Sequence, residues 1–300
     1  MPVARWSWWI SGCRMRKPPT IDRAFLKDLP LAKGQGHKYD HGHALVLCGG
    51  VGKGGAARLA ARATLRMGAG AVTLACPPAA LIENASRLDA VMVRRLDDAA
   101  GLTEMVQDRR ITALCLGPGL GTGPREAALL RAALAARGSA LCLDADALTL
   151  LSGAGEAARA LTPAAVLTPH EGEFARLCPD LAAQLGPGGD RVDLVRMAAA
   201  RLVAVLLLKG PETVIATPDG RCARHLATGA RAVPWLATAG AGDVLAGLIT
   251  GLLARGLDPF DAACAASWLH VECARHVGPG LIAEDLPEAL PGVLRDLLTA

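Results

Sequence analysis

The sequence predicts an α/β fold built on a mostly parallel sheet with helices on both faces. Three observations carry this. Short, wholly apolar runs recur along the chain, among them ALVLC at 44–48, AVTLAC at Ala71–Cys76 and VLLL at Val205–Leu208. Strands that lack polar alternation are buried on both sides, as in parallel sheets. Stretches with helical spacing lie between these runs, so strand and helix alternate. Nearly every glycine-rich or charged cluster directly follows an apolar run, the edge at which open α/β sheets bind ligands.

The elements follow in order. Residues 1–20 carry no periodic pattern and predict a tail, or a true start at Met15, ahead of one domain over 21–300. WSWWI at 6–10 and the following ISGC are similar to an export signal. The apolar run is short, however, and Arg14, Arg16 and Lys17 follow it, so it reads as a tail. The strand at 44–48 runs into a glycine-rich loop at 49–55, and an Ala/Arg/Leu helix continues to about Met67. Ala71–Cys76 is a second strand, stopped by Pro77 and Pro78. Residues 113–116 form a strand closed by GPGLG at 117–121, and a helix spans 124–137. Ala140–Leu143 leads into Asp144-Ala-Asp146, 166–168 into PHEGE, and Val205–Leu208 into KGPET at 209–213. Helices are predicted where Leu245, Leu248, Ile249, Leu252 and Leu253 share one face, at Pro259–Val277 and at 286–298.

Composition narrows the function. The chain has 300 residues, 52% of them hydrophobic and only 3% aromatic, which favours close helix–sheet packing over an aromatic-rich sandwich. A net charge of +4, evenly spread, gives no case for nucleic acid. No apolar run is as long as a membrane span. The nine cysteines are scattered without a CxxC pair, so they read as small core residues of a reducing cytoplasm.

The motifs are weighed singly first. Gly240-Ala241-Gly242-Asp243 opens a helix, and helix N-termini attract phosphate through unpaired N–H groups. Asp243 there either caps the helix or handles a proton or metal beside a bound anion. Gly50-x-Gly52-x-x-Gly55 has the spacing of a dinucleotide-binding loop. The acid that should end the second strand is absent; Cys76-Pro77-Pro78 stands there, and the next acid is Glu83. A phosphate loop of the P-loop type fails because Gly54 follows Lys53. The 117–121 loop is a tight turn or a floor under a planar group. Lys209 neutralises phosphate or is a solvated edge residue. His170 sits between functional and structural readings, and its spacing to Glu171 and Glu173 is poor for zinc. Glu173 is a candidate Mg²⁺ ligand through water. Asp144 and Asp146 are alternative Mg²⁺ ligands of the same kind, with capping of the helix at 147–151 as the favoured reading.

As an ordered series these stretches are highly specific. They comprise His37-Lys38 with Gly42-His43, Gly55-Ala56-Ala57, Arg66-Met-Gly-Ala-Gly70, GPGLG at 117–121 and DADAL at 144–148. The series continues with Thr168-Pro-His-x-Gly-Glu173, Lys209-Gly-x-x-Thr213 and Gly240-x-Gly-Asp243. Together they resemble the ADP-dependent NAD(P)H-hydrate dehydratase family of the ribokinase-like superfamily, from about residue 34 onward. Two departures stand out: Ala241 replaces the usual Thr between the two glycines, and the 51–54 loop is richer in glycine and more basic.

The resemblance implies a ribokinase-like three-layer α/β/α fold with a mostly parallel central sheet. It implies repair of the S-form of hydrated NADH or NADPH, with ADP as co-substrate, ATP as the alternative donor, and Mg²⁺. On these residues Asp243 is the catalytic base, and Ala56, Gly119, His170 and Asp243 bind the hydrate. Lys209, Gly210, Pro211, Glu212, Thr213, Gly240, Ala241 and Gly242 bind the nucleotide. It further implies a cytoplasmic homotetramer working with a separate epimerase, since the epimerase domain often fused to the family has no counterpart in these residues. The rival readings are a vitamin-precursor kinase of the same fold and a non-catalytic dinucleotide-binding domain built on residues 50–55.

Overall fold

The computed structural model describes residues 18–136, 138–186 and 189–299. Most of the expected tail, with Cys13 and Met15, lies outside these residues, as does Arg137. Nine strands form one sheet: β1 (His43–Leu47), β2 (Ala71–Cys76), β3 (Met92–Arg95), β4 (Ile111–Leu116), β5 (Ala140–Leu143), β6 (Ala165–Leu167), β7 (Val205–Leu208), β8 (Glu212–Ala216) and β9 (Cys222–Leu226). Their order is β3-β2-β1-β4-β5-β6-β7-β8-β9. The neighbours from β3 through β7 are parallel, and β7/β8 and β8/β9 are antiparallel.

The helices are α1 (Arg23–Leu26), α2 (Gly54–Arg66), α3 (Leu81–Ala85), α4 (Ala99–Met105), α5 (Pro124–Ala135), α6 (Asp146–Ser152), α7 (Glu171–Leu177), α8 (Pro179–Ala182), α9 (Arg191–Leu202), α10 (Ala241–Ala254), α11 (Pro259–Val277) and α12 (Asp285–Leu298). They cover both faces. Along β1, Ala44 and Val46 join the core under α2, α10, α11 and α12, while Leu45 and Leu47 join the core under α4, α5, α6, α7 and α9. Side chains of a strand alternate between faces, so a strand clad on both sides must be apolar throughout. All eight cysteines among the described residues are free and buried, as expected of core residues.

Two features aim the fold at one edge. The chain winds one way from β1 to β3 and the other way from β4 onward, so the loops after β1 and β4 face each other across the point where strand order reverses. They pack tightly there: a side chain at Gly49 would lie 2.0 Å from the Gly119 carbonyl. The second feature is the pairing of α2 with α10. Gly247 and Gly251 leave room for α2, since a Cβ at Gly247 would meet the Ala60 carbonyl at 2.3 Å. Thr64 then donates its hydroxyl to the Gly247 carbonyl at 2.9 Å. This contact holds the N-termini of both helices at the sheet's C-terminal edge.

The sequence reading lacked three strands: β3, β8 and β9. At the start of the chain, Arg224 donates its backbone N–H to the Pro19 carbonyl (3.0 Å) and accepts from Ile21 (2.8 Å), so the chain already runs along β9 at residue 19.

Candidate active site

The site is assembled from the ends of β5, β6 and β7 and from the start of α10. Lys209, just past β7, places its ammonium 2.8 Å from Asp144 Oδ1. Thr168, just past β6, donates its hydroxyl to the same oxygen at 2.8 Å. Glu173 Oε2 lies 3.7 Å from the same ammonium. A side chain at Gly242 would sit 3.6 Å from Lys209 Nζ and 3.8 Å from Asp144 Oδ2, so the first turn of α10 closes over the cluster.

The charges settle each other unevenly. Burial alone lowers the Lys209 pKa, but the fields of Asp144, Glu173 and Asp243 outweigh it and hold the ammonium above its ordinary value. Asp243 is pushed up to about 6, by burial first and then by Asp144 and Asp146, with Lys209 acting in the other direction. Its carboxylate has no hydrogen-bond or ion-pair partner among the described residues. A half-buried carboxylate of that pKa can accept a proton near neutrality, which fits a general base better than a helix cap.

The turn that carries Asp243 is left open. Gly240 has φ +89°, and a Cβ there would press on Leu59 Cδ1 at 2.7 Å and Ala283 Cβ at 2.8 Å, so glycine is required by both backbone and space. No side chain caps α10. The Gly242 amide meets no acceptor among the described residues. Unpaired amides at a helix start are an anion site.

The other expected residues fall around this centre. Ala56 and Gly119 come together: Gly119 has φ +61°, and a Cβ there would meet the Lys53 carbonyl at 2.5 Å and Ala56 Cβ at 3.3 Å. His170 caps α7, its Nδ1 accepting from the Gly172 (2.9 Å) and Glu173 (3.3 Å) amides, and its ring is exposed. Glu173 returns the contact by accepting the His170 N–H at 2.8 Å. Gly210 and Pro211 form the rim between β7 and β8. There the Thr213 hydroxyl donates to the Gly210 carbonyl (3.0 Å), and Glu212 pairs with Arg224 (3.2 Å).

One expectation is corrected. Asp144 and Asp146 do not cap the helix that follows; Ala145 holds the cap position without a side-chain bond. Asp144 is turned inward to Lys209 and Thr168. Asp146 accepts the Gly121 amide at 2.8 Å and pins the 117–121 loop. The dinucleotide-loop reading also weakens. Glu83, the acid nearest the place of a ribose ligand, accepts the Gly52 amide at 2.8 Å and pairs with Arg58 at 3.2 Å. His270, which sequence reading did not single out, sets its Nε2 2.9 Å from the Ala241 carbonyl. Its only sequence signal was a histidine within the apolar pattern of α11.

Among the described residues no group of three or more His, Cys, Asp or Glu is arranged as a metal cage. Mg²⁺ seldom needs one beside phosphates, because it keeps several waters and few protein ligands.

Known proteins match this chain in sequence and in fold. Residues 44–289 match the family described as NAD(P)H-hydrate dehydratase. A Xanthomonas campestris protein named ADP-dependent (S)-NAD(P)H-hydrate dehydratase is 33% identical over 300 residues, covering 95% of this chain and 98% of that one. The crystal structure of the Bacillus subtilis ADP/ATP-dependent NAD(P)H-hydrate dehydratase, co-crystallized with ATP/Mg²⁺, has a TM-score of 0.76 at 28% identity over 94% of this chain and 100% of that one. A ribokinase-like superfamily protein from Enterococcus faecalis shares the fold with a TM-score of 0.81 at 22% identity, over 95% and 98% of the two chains. The chain spans about half the length of the curated bifunctional NAD(P)H-hydrate repair enzymes it matches. The fold is therefore the ribokinase-like one expected from the sequence. The family match runs from the second residue of β1 through the facing loops at 49–55 and 117–121 to beyond the open turn at Asp243, and the chain belongs to the NAD(P)H-hydrate dehydratase family.

Proposed function

We propose that this protein dehydrates the S-form of hydrated NADH or NADPH, consuming ADP and releasing NAD(P)H, AMP and phosphate. The observation that carries the reading is Asp243: a half-buried carboxylate with a pKa of about 6, one residue past an amide that has no acceptor among the described residues.

Hydroxide is a poor leaving group, so the hydrate's ring hydroxyl has to be activated. Asp243 takes the hydroxyl proton as that oxygen attacks the β-phosphorus of ADP and the bond to the bridging oxygen of AMP breaks. Amides of the 240–242 turn hold the transferring phosphoryl group, where positioning and electrostatics supply most of the catalysis. The ring nitrogen's lone pair then expels phosphate, and loss of a proton from the neighbouring ring carbon restores the dihydropyridine. Ala56, Gly119 and His170 line the hydrate's place. Lys209, Gly210, Pro211, Glu212 and Thr213 serve the nucleotide side.

Mg²⁺ fits as an ion that arrives on the nucleotide. Asp144, Glu173 and Asp243 outnumber Lys209, and Glu173 and Asp144 would hold the hydrated ion through water. Bound there, it would neutralise phosphate charge. No helix of the described residues is long and apolar enough to cross a membrane. We place the enzyme in the cytoplasm as a homotetramer, served by an epimerase that interconverts the two hydrate forms.

The test is direct. Purified protein is mixed with hydrated NADH, Mg²⁺ and either ADP or ATP, and the reduced-nicotinamide absorbance is followed. Recovery of absorbance with stoichiometric AMP is expected with ADP. No recovery with either nucleotide overturns the proposal.

A further inference from the structure

The open turn at the start of α10 needs something rigid to hold it. Gly240 is conformationally free, and the turn's own bond, from the Ala241 amide to the Thr238 carbonyl, is long at 3.4 Å. The rigid element is α11, whose His270 is 8% exposed and sets Nε2 2.9 Å from the Ala241 carbonyl. A carbonyl only accepts, so Nε2 carries the proton. We propose that His270 is a positioning residue for phosphoryl transfer: its Nε2–H, given to the Ala241 carbonyl, fixes and polarises the Ala241–Gly242 peptide, whose N–H meets the transferring phosphoryl group.

Three points favour this over a packing role. As the first residue of α10, Ala241 already offers its carbonyl to the helix ladder, so the backbone does not need a second donor. A hydrogen bond to the carbonyl end of a peptide strengthens its N–H as a donor, because bonded dipoles polarise one another. The peptide concerned is the one whose N–H, that of Gly242, has no acceptor among the described residues. The ring is also neutral at physiological pH. Burial lowers its pKa to about 4, with Lys209 and His225 adding to the effect and the Ala241 bond opposing it. A neutral donor sharpens the amide without placing a fixed cation that would hold AMP after the reaction.

The inference rests on the dehydratase reading above, and the experiment separates the two. Wild type, His270→Leu and His270→Gln are compared, since a glutamine amide can replace the Nε2 donor. The ring tautomer is read from ¹⁵N-histidine shifts of the wild type. Labelling alanine carbonyls and glycine nitrogens reduces the spectrum to the six Ala–Gly pairs of the chain, and the Gly242 signal is assigned as the one lost in Ala241→Ser. In His270→Leu, kcat is expected to fall about tenfold, the effect of one lost hydrogen bond, with KM for ADP nearly unchanged. The Gly242 amide proton should move upfield, and His270→Gln should recover most of both changes. An Nδ1–H tautomer in the wild type overturns the proposal whatever the variants do. So does a Leu variant with normal kcat and an unmoved Gly242 amide, or a Gln variant as impaired as Leu. Failure of wild type to turn over hydrate with ADP would instead sink the dehydratase reading, and would leave the tautomer and amide measurements intact.

Discussion

Two glycine turns open two helices that pack side by side, and they end up differently. The turn at residues 50–55 is closed. Its Gly52 amide is taken by Glu83, and a side chain at Gly54 would meet Arg58 and Asn84 at 2.5 Å. The turn at residues 240–243 is open. No side chain caps either helix, but here the Gly242 amide has no acceptor among the described residues and a carboxylate stands beside it. In sequence the first has the better-known spacing. What separates them is whether a distant acid reaches into the turn, as Glu83 does to the Gly52 amide, or a carboxylate of the turn itself stands open, and glycine spacing does not contain that information.

The largest expected effect tests the open turn. Asp243→Asn keeps size and shape but cannot accept the hydroxyl proton, so turnover should fall by about 10²–10⁴-fold. ADP affinity should hold or improve, because a negative charge near phosphate is gone. Stability supplies an independent sign. The folded pKa of about 6 lies above the ordinary 3.8, so ionising Asp243 disfavours the folded state. That group's contribution is present below pH 3.8 and is lost as pH rises through 6. The Asn variant should therefore melt higher than wild type at pH 8 and match it at pH 3.5. Near-normal turnover would remove the contrast between the two turns.

Lys209→Ala comes next. It removes the cation that Asp144, Glu173 and Asp243 share, and ADP affinity should fall about 10- to 100-fold by loss of a charge-assisted contact. Unchanged affinity by calorimetry would confine Lys209 to holding the carboxylates. Asp144→Asn should act more gently. After burial, the charge of Asp144 does most to raise the Asp243 pKa. Removing its charge should shift the acid limb of the kcat profile toward lower pH by roughly one unit. A limb that stays in place would mean that burial and Asp146, rather than Asp144, raise the base.

How much of this was legible depended on distance along the chain. β1, β2, β4, β5, β6 and β7 could be read because strands buried on both faces are apolar runs. The strand β3 could not, since it reads MVRR and is largely exposed at the sheet edge. β8 and β9 carry Glu212 and Arg224 in an antiparallel pair and broke the same rule. In the site, Gly240 and Asp243 were visible because their logic is local: glycine, glycine, acid, helix. Asp144 was misread as a cap because its partner Lys209 is 65 residues away and meets it only through the order β5-β6-β7. His270 and Ala241 are 29 residues apart and belong to different helices, and no spacing rule joins them.

The smallest expected effect bears on the closed turn. Glu83→Gln removes the charge that holds the Gly52 amide and Arg58. If the turn is a structural closure, a glutamine oxygen can still accept the amide proton, and kcat and both KM values should stay within about twofold. Melting temperature should fall slightly. The carboxylate's pKa is held below its ordinary value by the Gly52 amide first and by Arg58 second, so its contribution to stability is present above the unfolded pKa and fades as pH falls through the folded value. The small loss of stability should therefore be visible at pH 7 and vanish in acid. Ala56 makes the experiment informative, because it begins the same helix and faces Gly119 at the hydrate's expected place. A selective rise in KM for the hydrate, with folding unchanged, would show that the 50–55 turn shapes that place through its backbone. The two turns would then differ in which ligand they meet rather than in whether they meet one.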